Sequence, residues 1–161
     1  EANFVDDFKN QDRIIIGGER PSTTKLRQVY SLAFPNAKIV KTGSITAEMV
    51  KYFTNTFLAT KVSFANEMKM ICDGLNIDYD KVVEYSTYDE RLGKSHWAVP
   101  GPDGKLGFGG SCFPKDLNAL ISLSKDMRLY LHTLQSVWKT NLKVRPEEDW
   151  KELKGRAVVD E

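Results

Sequence analysis

The sequence predicts a mainly α-helical protein in which a small parallel strand–helix–strand unit precedes a helical domain built around one long helix. Near the start of the chain, two short runs rich in isoleucine and valine flank a stretch with helical spacing. A broad apolar stripe with helical spacing then continues for about 28 residues. Beyond it, shorter helical patterns alternate with turn signals and with a segment rich in glycine and proline.

The first predicted strand covers residues 13–16 and is closed by the turn residues Gly17 and Gly18. Residues 23–34 form a predicted helix, which Pro21 opens and Pro35 stops. A second strand covers residues 37–40. A strand, a helix and a strand within about 30 residues predict parallel pairing. Because two strands cannot bury both faces of a sheet, we expect this unit to be the edge of a larger sheet.

The long helix is predicted to cover residues 44–72, with Ser44 or Thr46 as its cap and Gly74 at its end. At 1.5 Å per residue it measures about 42 Å, which exceeds the usual helix of a small domain. We therefore expect it to cross a domain junction or a dimer interface. Its apolar stripe consists of Met49, Phe53, Phe57, Val62, Ala65, Met68 and Cys72.

Three shorter helices are predicted after the long one. Asp78 caps a helix that reaches about residue 86, and Pro114 opens another through about residue 125. The last helix covers residues 129–142, and residues 157–159 suggest a strand. We therefore predict three segments: residues 1–43 as the small parallel unit, 44–143 as the helical domain, and 144–161 as a tail or the start of another domain.

Composition excludes several classes of function. The 23 basic and 22 acidic residues give a net charge of +1 without a basic block, so nucleic acid is not an expected partner. No apolar run reaches the roughly 18 residues that cross a bilayer, so no membrane partner is expected. Two distant cysteines and two isolated histidines predict neither a disulfide framework nor a metal site, and they favour the cytoplasm. The abrupt start at Glu1 leads us to expect a fragment.

The most informative segment is GFGGSCFPKD, residues 107–116. Its glycines let the backbone approach a ligand closely, and Cys112 is expected at a helix start, where exposed N–H groups favour a thiolate. Asp116 follows one turn later as an acid or base, and Lys115 adds a cation for a phosphate or carboxylate. The residues alone leave two interpretations open: a nucleophile site, or an inert cysteine beside a glycine-rich turn. For Cys72, on the apolar stripe, we expect an inert core thiol.

This segment closely resembles the catalytic-cysteine motif of the UDP-glucose dehydrogenases, within the UDP-glucose/GDP-mannose dehydrogenase family, and the resemblance covers about residues 1–143. It implies NAD-dependent oxidation of UDP-glucose to UDP-glucuronate. In that reaction the cysteine attacks the C6 aldehyde, and the thiohemiacetal is oxidised to a thioester that water releases. It also implies that the parallel unit is the remnant of a Rossmann-type NAD domain, and that the helical domain forms a homodimer.

The resemblance implies roles for residues outside the motif as well. In AEMVKYFTNTFLA, Lys51 and Asn55 match a lysine and an asparagine that stabilise the oxyanion and position a water molecule. Together with Cys112 and Asp116 they form the implied catalytic set, which Glu1 completes as the second of two glutamates. In the stretch that follows this glutamate, Ala2 stands where the family usually has glycine and Gln11 where it usually has proline.

The implied substrate contacts are Phe108, Gly109 and Arg91, and Lys115 is the implied cofactor contact. Arg91 lies in DERLG, which resembles a loop that reaches the substrate of the neighbouring subunit. No G-x-G-x-x-G turn is present, so we expect the first part of the NAD domain to lie upstream and this chain alone to be inactive.

Two alternative functions remain open. One is a sister activity on UDP-N-acetylmannosamine or GDP-mannose, although Ser111 and Phe113 match the UDP-glucose branch of the family. The other is a helical dimerisation module in which Cys112 has no chemistry.

Overall fold

In the computed structural model, residues 4–153 are described, and they form two compact units that divide between Lys51 and Tyr52. The predicted catalytic residue Glu1 and the predicted strand at residues 157–159 lie outside the described residues. Among residues 4–153, no helix combines the length and apolar character needed to cross a membrane.

The first unit contains the predicted strand–helix–strand arrangement. Strands β1 (Arg13–Gly17) and β2 (Lys38–Thr42) pair in parallel, with Ile14 opposite Ile39. Helix α2 (Ser22–Ala33) connects them, and Pro21 directly precedes it. The prediction of a parallel unit is therefore confirmed.

A short helix, α1 (Phe4–Lys9), precedes β1 and was not predicted, because six residues give too little periodicity. The Phe8 ring of α1 packs edge-on against Phe34, with 5.3 Å between the ring centroids. Leu26, Val29 and Leu32 of α2 are exposed, which is typical of part of a larger sheet domain rather than of a complete one.

The long helix α3 spans Ser44–Gly74, so the division between the units falls within it. Its apolar stripe is not uniform. Ala65 and Cys72 are buried, whereas Phe53 and Phe57 are 69% and 57% exposed. The threonine hydroxyls on its buried side are satisfied within the helix, since Thr56 Oγ1 donates to the Tyr52 carbonyl at 2.7 Å.

The second unit packs three further helices against α3. Asp78 caps α4 (Tyr79–Ser86) by accepting from the backbone N–H groups of Asp80 and Lys81, as predicted. Helices α5 (Cys112–Asp126) and α6 (His132–Val144) follow, with short 3₁₀ turns at Glu90–Leu92 and Asp149–Glu152.

Two predicted helix starts were wrong. Helix α5 begins at Cys112, so Pro114 is its third residue. This is tolerated because N–H groups in a first turn need no partner within the helix. Helix α6 begins at residue 132 rather than 129, because Arg128 adopts a positive φ of 56° and turns the chain.

Two apolar clusters stabilise the second unit. One joins Ala59, Phe108, Leu117 and Val137, and therefore links α3, the glycine-rich loop, α5 and α6. The other joins Ala65, Cys72, Tyr79 and Val99. Cys72 is therefore a core thiol, as predicted.

Residues after α6 pack on the same unit. Trp150 is buried and its ring packs at a tilt of 56° against that of Trp138, with 5.3 Å between the ring centroids. Arg145 is only 2% exposed. The segment boundaries at residues 43 and 143 stay a prediction.

Candidate active site

Cys112 is the first residue of α5, which confirms its predicted position at a helix start. Its thiol is partly exposed, and the Ser111 hydroxyl lies 3.9 Å from the sulfur. The backbone N–H groups of a first helical turn have no acceptor within the helix, and the helix dipole is positive at this end. This location therefore favours a thiolate, which is the nucleophilic form of cysteine.

Asp116 lies one turn after Cys112 and is fully buried. Its Oδ2 accepts a hydrogen bond from Asn55 Nδ2 at 2.5 Å, and its Oδ1 accepts one from the Lys115 ammonium group. The hydrogen bond that Lys115 donates to Asp116 raises the pKa of Lys115. A buried carboxylate held in this way is pre-oriented, because its partners replace the water that it has lost.

The structure therefore brings Asn55, Lys115, Asp116 and Cys112 together where the start of α5 meets α3. Asn55 and Asp116 are 61 residues apart in sequence. The i, i+4 spacing of Cys112 and Asp116 places them on one face of α5. Four of the predicted site residues thus form one polar cluster in the second unit.

Lys51 is the last residue of the first unit. Together with Gly17, Ser44, Ala47 and Glu48 it lines a cavity of about 350 Å³. A Cβ atom on Gly17 would lie 2.6 Å from the Ala47 Cβ, so this glycine allows β1 to approach α3 closely. The catalytic role of Lys51 stays a prediction.

The loop before Cys112 is held at Phe108, through both its ring and its backbone. Phe108 is buried, and its ring contacts those of Phe113 and Trp138 at centroid distances of 5.9 and 6.4 Å. Asn141 is hydrogen-bonded to both the N–H and the C=O of Phe108. The Phe108 side chain therefore belongs to the core, and its predicted contact with substrate stays a prediction.

Gly109 is backed by a buried guanidinium group. A Cβ atom at this position would lie 2.4 Å from Arg145 Nη2, so a larger residue would displace the buried guanidinium group. Gly109 is the second of the predicted substrate contacts, and its closeness to Arg145 shows how tightly this backbone is packed. Its contact with substrate stays a prediction.

Arg145 and its partners were missed by the sequence analysis. Arg145 donates to both carboxylate oxygens of Asp149 at 2.9 and 2.6 Å, and to Asp103 Oδ2 at 2.7 Å. The hydrogen bonds from Arg145 lower the pKa of Asp149 to about 2, and Lys105 contributes a further one. Arg145 and Asp149 are four residues apart, but their spacing does not reveal the whole network, because Asp103 is 42 residues from Arg145.

Asn141 was missed as well, although a signal was present. It is a fully buried amide on the same helix as the core residues Val137 and Trp138. A polar residue at an apolar position of a helix must find partners, so this pattern indicates a specific hydrogen-bonding role.

Arg91 lies in the 3₁₀ turn Glu90–Leu92, and its side chain is 88% exposed. It forms a bidentate pair with Asp89, which raises the pKa of Arg91. The turn itself is anchored by Lys61, whose ammonium group donates to the Leu92 carbonyl at 2.9 Å and lies 4.4 Å from the centre of the Trp97 ring. The structure leaves Arg91 projecting outward, and its contact with a neighbouring subunit stays a prediction.

Among residues 4–153, no group of three histidine, cysteine, aspartate or glutamate side chains is arranged to hold a metal ion.

Known proteins resemble this chain over most of its length. The model of the UDP-glucose/GDP-mannose dehydrogenase family, central domain, matches residues 45–143. A UDP-glucose 6-dehydrogenase of Rickettsia bellii is 40% identical over 148 residues, and one of Rickettsia prowazekii is 38% identical over 148 residues. Each alignment covers 91% of this chain and 33% of the relative.

A solved structure agrees with these relatives. The UDP-glucose dehydrogenase of the archaeon Pyrobaculum islandicum superposes with a TM-score of 0.78 at 36% identity, over 86% of this chain and 31% of that one. The chain thus spans about a third of the length of the proteins that it matches. The matched region includes the long helix and the cysteine motif, which confirms the resemblance found in the sequence. The chain belongs to the UDP-glucose/GDP-mannose dehydrogenase family.

Proposed function

We propose that the chain is part of a UDP-glucose 6-dehydrogenase that oxidises UDP-glucose to UDP-glucuronate with NAD as the oxidant, and that Cys112 is the nucleophile that holds the substrate as a covalent intermediate. The observation that carries this proposal is the placement of Cys112 at the first residue of α5, one turn before the buried Asp116. The names of the relatives support UDP-glucose as the substrate rather than UDP-N-acetylmannosamine or GDP-mannose.

The covalent chemistry follows from these positions. UDP-glucose carries an alcohol at C6, and a first two-electron oxidation, with NAD as the oxidant, must convert it to the aldehyde. The Cys112 thiolate adds to this aldehyde, a C–S bond forms, and the carbonyl oxygen takes up a proton to give a thiohemiacetal, which a second such oxidation converts to a thioester. Once that carbon has been oxidised, water attacks the thioester carbonyl, the C–S bond breaks, and sulfur leaves as a thiolate. The uronate keeps the oxygen of the attacking water.

Three further groups are assigned supporting roles in this proposal. The Asn55 amide has two N–H donors, one of which holds Asp116, and we assign the other to the oxyanion that develops at C6. The Lys51 ammonium group is assigned to the same oxyanion. Asp116 accepts the proton of the attacking water, and its buried carboxylate is already oriented by Asn55 and Lys115.

NAD supplies the hydride acceptance that the oxidation requires. Lys115 is the implied contact for it, but its ammonium group is engaged by Asp116. Within residues 4–153, no G-x-G-x-x-G turn joins a strand to a helix. The described residues therefore do not form a complete binding site for a dinucleotide. The covalent role that we assign to Cys112 does not depend on such a site within these residues.

A second copy of the chain is part of the same proposal. Phe57, Phe64 and Ile71 recur every seven residues on α3, and each is more than half exposed. A seven-residue repeat keeps side chains on one face of a helix, and an exposed apolar face of this kind is typical of helix pairing. We therefore propose a homodimer that pairs through α3, and Arg91 is assigned to the partner's substrate.

The proposal extends to organisation and location. Residues 1–43 are assigned to the NAD-binding domain, 44–143 to the central domain, and 144–161 to a tail or the start of a UDP-binding domain. We place the protein in the cytoplasm, because a nucleophilic cysteine must remain a free thiol and reducing compartments maintain it.

A chimaera tests the activity, since this chain spans about a third of its relatives. The chain replaces the matching third of the Rickettsia bellii enzyme, and NADH formation is followed with UDP-glucose, UDP-N-acetylmannosamine and GDP-mannose. We expect NADH formation to depend on Cys112, with the highest kcat/KM for UDP-glucose. Equal activity in the C112S chimaera, or a higher kcat/KM for either rival sugar, would contradict the proposal.

The isolated chain provides the complementary test. With UDP-glucose and excess NAD we expect no steady NADH formation, because loosely held reactants forfeit most of the rate. The derivative of UDP-glucose that carries an aldehyde at C6 should nevertheless protect Cys112 from alkylation, because addition of the thiol to an aldehyde needs no oxidant. Protection of Cys72 to the same degree would show that the aldehyde reacts non-specifically.

A further inference from the structure

The loop that leads to Cys112 is held from behind by two buried amides. The Phe108 N–H donates to Asn141 Oδ1 at 2.7 Å, and Asn141 Nδ2 donates to the Phe108 carbonyl at 3.0 Å. The neighbouring Gly107 N–H donates to Asn66 Oδ1 at 3.2 Å. One fully buried side chain therefore engages both polar groups of the Phe108 backbone.

The contact is tight, and the loop sequence is adapted to it. Gly107 has a φ of 66°, a conformation that favours glycine, and a Cβ atom there would lie 2.4 Å from Asn141 Oδ1. Gly109 lies as closely against the Arg145 side chain. The glycines thus allow the loop backbone to approach α6, and Asn141 fixes the loop at that distance.

A physical link leads from this contact to the reactive thiol. Phe108 is four residues before Cys112, and its ring packs edge-on against that of Phe113, the second residue of α5. A shift of Phe108 therefore disturbs the first turn of α5. The N–H groups of that turn are the donors that favour a thiolate at Cys112.

We propose that Asn141 is a positioning residue for the reaction of Cys112, because it fixes the Phe108 backbone and thereby the first turn of α5. Asn141 acts through Phe108 and Phe113. The inference rests on the proposed function only in taking Cys112 as the nucleophile. If Asn141 were purely structural, it would contribute only to the stability of the fold. A positioning role and a stabilising role predict different changes in the alkylation rates of Cys112 and Cys72.

The first experiment compares the chain with its N141L variant, in which a side chain of similar shape makes neither hydrogen bond. Both cysteines are alkylated with iodoacetamide, and their rates are separated by peptide mapping. We expect the Cys112 rate at neutral pH to fall roughly tenfold, because buried backbone groups without partners force the loop to move. The pH of half-maximal alkylation should move upward, while the Cys72 rate stays unchanged.

Opening of the fold would raise the alkylation rates instead of lowering the rate at Cys112. If Asn141 served stability alone, N141L would speed the alkylation of both thiols, because the buried Cys72 becomes accessible when the core opens. Faster alkylation at both positions overturns the proposal, and so does an unchanged rate at Cys112.

The N141D variant adds a rescue that depends on pH. A protonated carboxyl group accepts from the Phe108 N–H and donates to the Phe108 carbonyl, as the amide does, whereas a carboxylate places a lone pair against that carbonyl. Burial raises the pKa of such a carboxyl group, which widens the range of the neutral form. The ratio of the N141D rate to the wild-type rate should therefore approach one at low pH and the N141L level at high pH.

Matched controls separate positioning from charge. S122D also adds a carboxylate, at an exposed position of α5, and we expect its Cys112 rate to stay within about twofold of wild type, since exposed charges are screened. If N141D slowed the reaction while N141L did not, charge would explain the effect and the proposal would be wrong. A rate ratio for N141D that is constant with pH would also overturn it.

These measurements need neither nucleotide sugar nor NAD, so they are independent of turnover. A chimaera without dehydrogenase activity, together with the expected alkylation pattern, would refute the proposed function and leave the role of Asn141 intact. An active chimaera, together with an unchanged Cys112 alkylation rate in N141L, would support the proposed function and refute the role of Asn141.

Discussion

Replacing Asp149 by asparagine tests whether the buried Arg145 network stabilises the second unit. The Asp149 carboxylate accepts two hydrogen bonds from Arg145 and one from Lys105 at 3.0 Å. Arg145 is almost completely buried, so it cannot replace a lost partner with water. In D149N the guanidinium keeps Asp103 and the Leu106 carbonyl but loses its bidentate partner.

The magnitude can be worked from the titration of Asp149. Its pKa falls from 3.8 to about 2, mainly through the hydrogen bonds from Arg145. At 1.36 kcal/mol per pKa unit this amounts to roughly 2.4 kcal/mol at neutral pH. The Asp149 side chain is 27% exposed, and solvent screening weakens its interactions. We therefore expect D149N to lower the free energy of unfolding by about 1–2 kcal/mol.

The pH dependence has a definite sign. The folded pKa of Asp149 lies below the unfolded value, so its contribution is fully present above about pH 5 and is lost as the pH falls through about 2. At pH 3 we expect about half of the difference between wild type and D149N to remain.

Urea denaturation at pH 7, 5 and 3 measures this difference. The three tryptophans, Trp97, Trp138 and Trp150, all lie in the second unit, so their fluorescence reports its unfolding. D73N is the control, because Asp73 pairs with Lys69 on the surface of α3, and we expect it to change stability by less than about 0.5 kcal/mol. A D149N effect as small as this control, or one that is equal at pH 7 and pH 3, would refute the reasoning.

Three further predictions concern other parts of the chain. Near neutral pH, iodoacetamide should label Cys112 at least about tenfold faster than the buried Cys72, and peptide mapping that finds equal labelling would contradict this. G109A should destabilise the second unit by about 1–3 kcal/mol in urea, because its methyl group meets the buried guanidinium, whereas G74A, with open space around it, should be neutral within about 0.5 kcal/mol. Light scattering should report about twice the 18.3 kDa chain mass, and F57K should shift it toward one chain mass; a wild-type monomer at all concentrations would count against the α3 interface.

The elements that sequence analysis predicted are those with local signals. Two β-branched runs on either side of a stretch with helical spacing were enough to predict β1, α2 and β2. The capping residue Asp78 was enough to predict the start of α4. The start of α5 was misplaced by two residues, because Pro114 is compatible with several positions in a first turn. Helix α1 was missed because a single turn and a half has no measurable period.

For the candidate site, the residues that were predicted and those that were missed differ in how far they lie in sequence from their partners. The glycine-rich motif identified Cys112 and Asp116, and the resemblance added Asn55, which the structure places on the Asp116 carboxylate. The supports of the loop were missed, because Asn141 reaches Phe108 across 33 residues and Arg145 reaches Asp103 across 42. Pairs at such distances leave no periodic pattern in one sequence.

The packing of Arg145 and Trp150 has a consequence for how this protein can be divided or recombined. The family model ends at residue 143, between the amide that holds the loop and the guanidinium that backs it. A polypeptide cut at that point would keep Asn141 but lose Arg145, leaving a void behind Gly109, and would uncover the Trp138 ring that Trp150 now covers. Exchange of this module between relatives should therefore place the junction after residue 153, so that the loop travels together with the residues that support it.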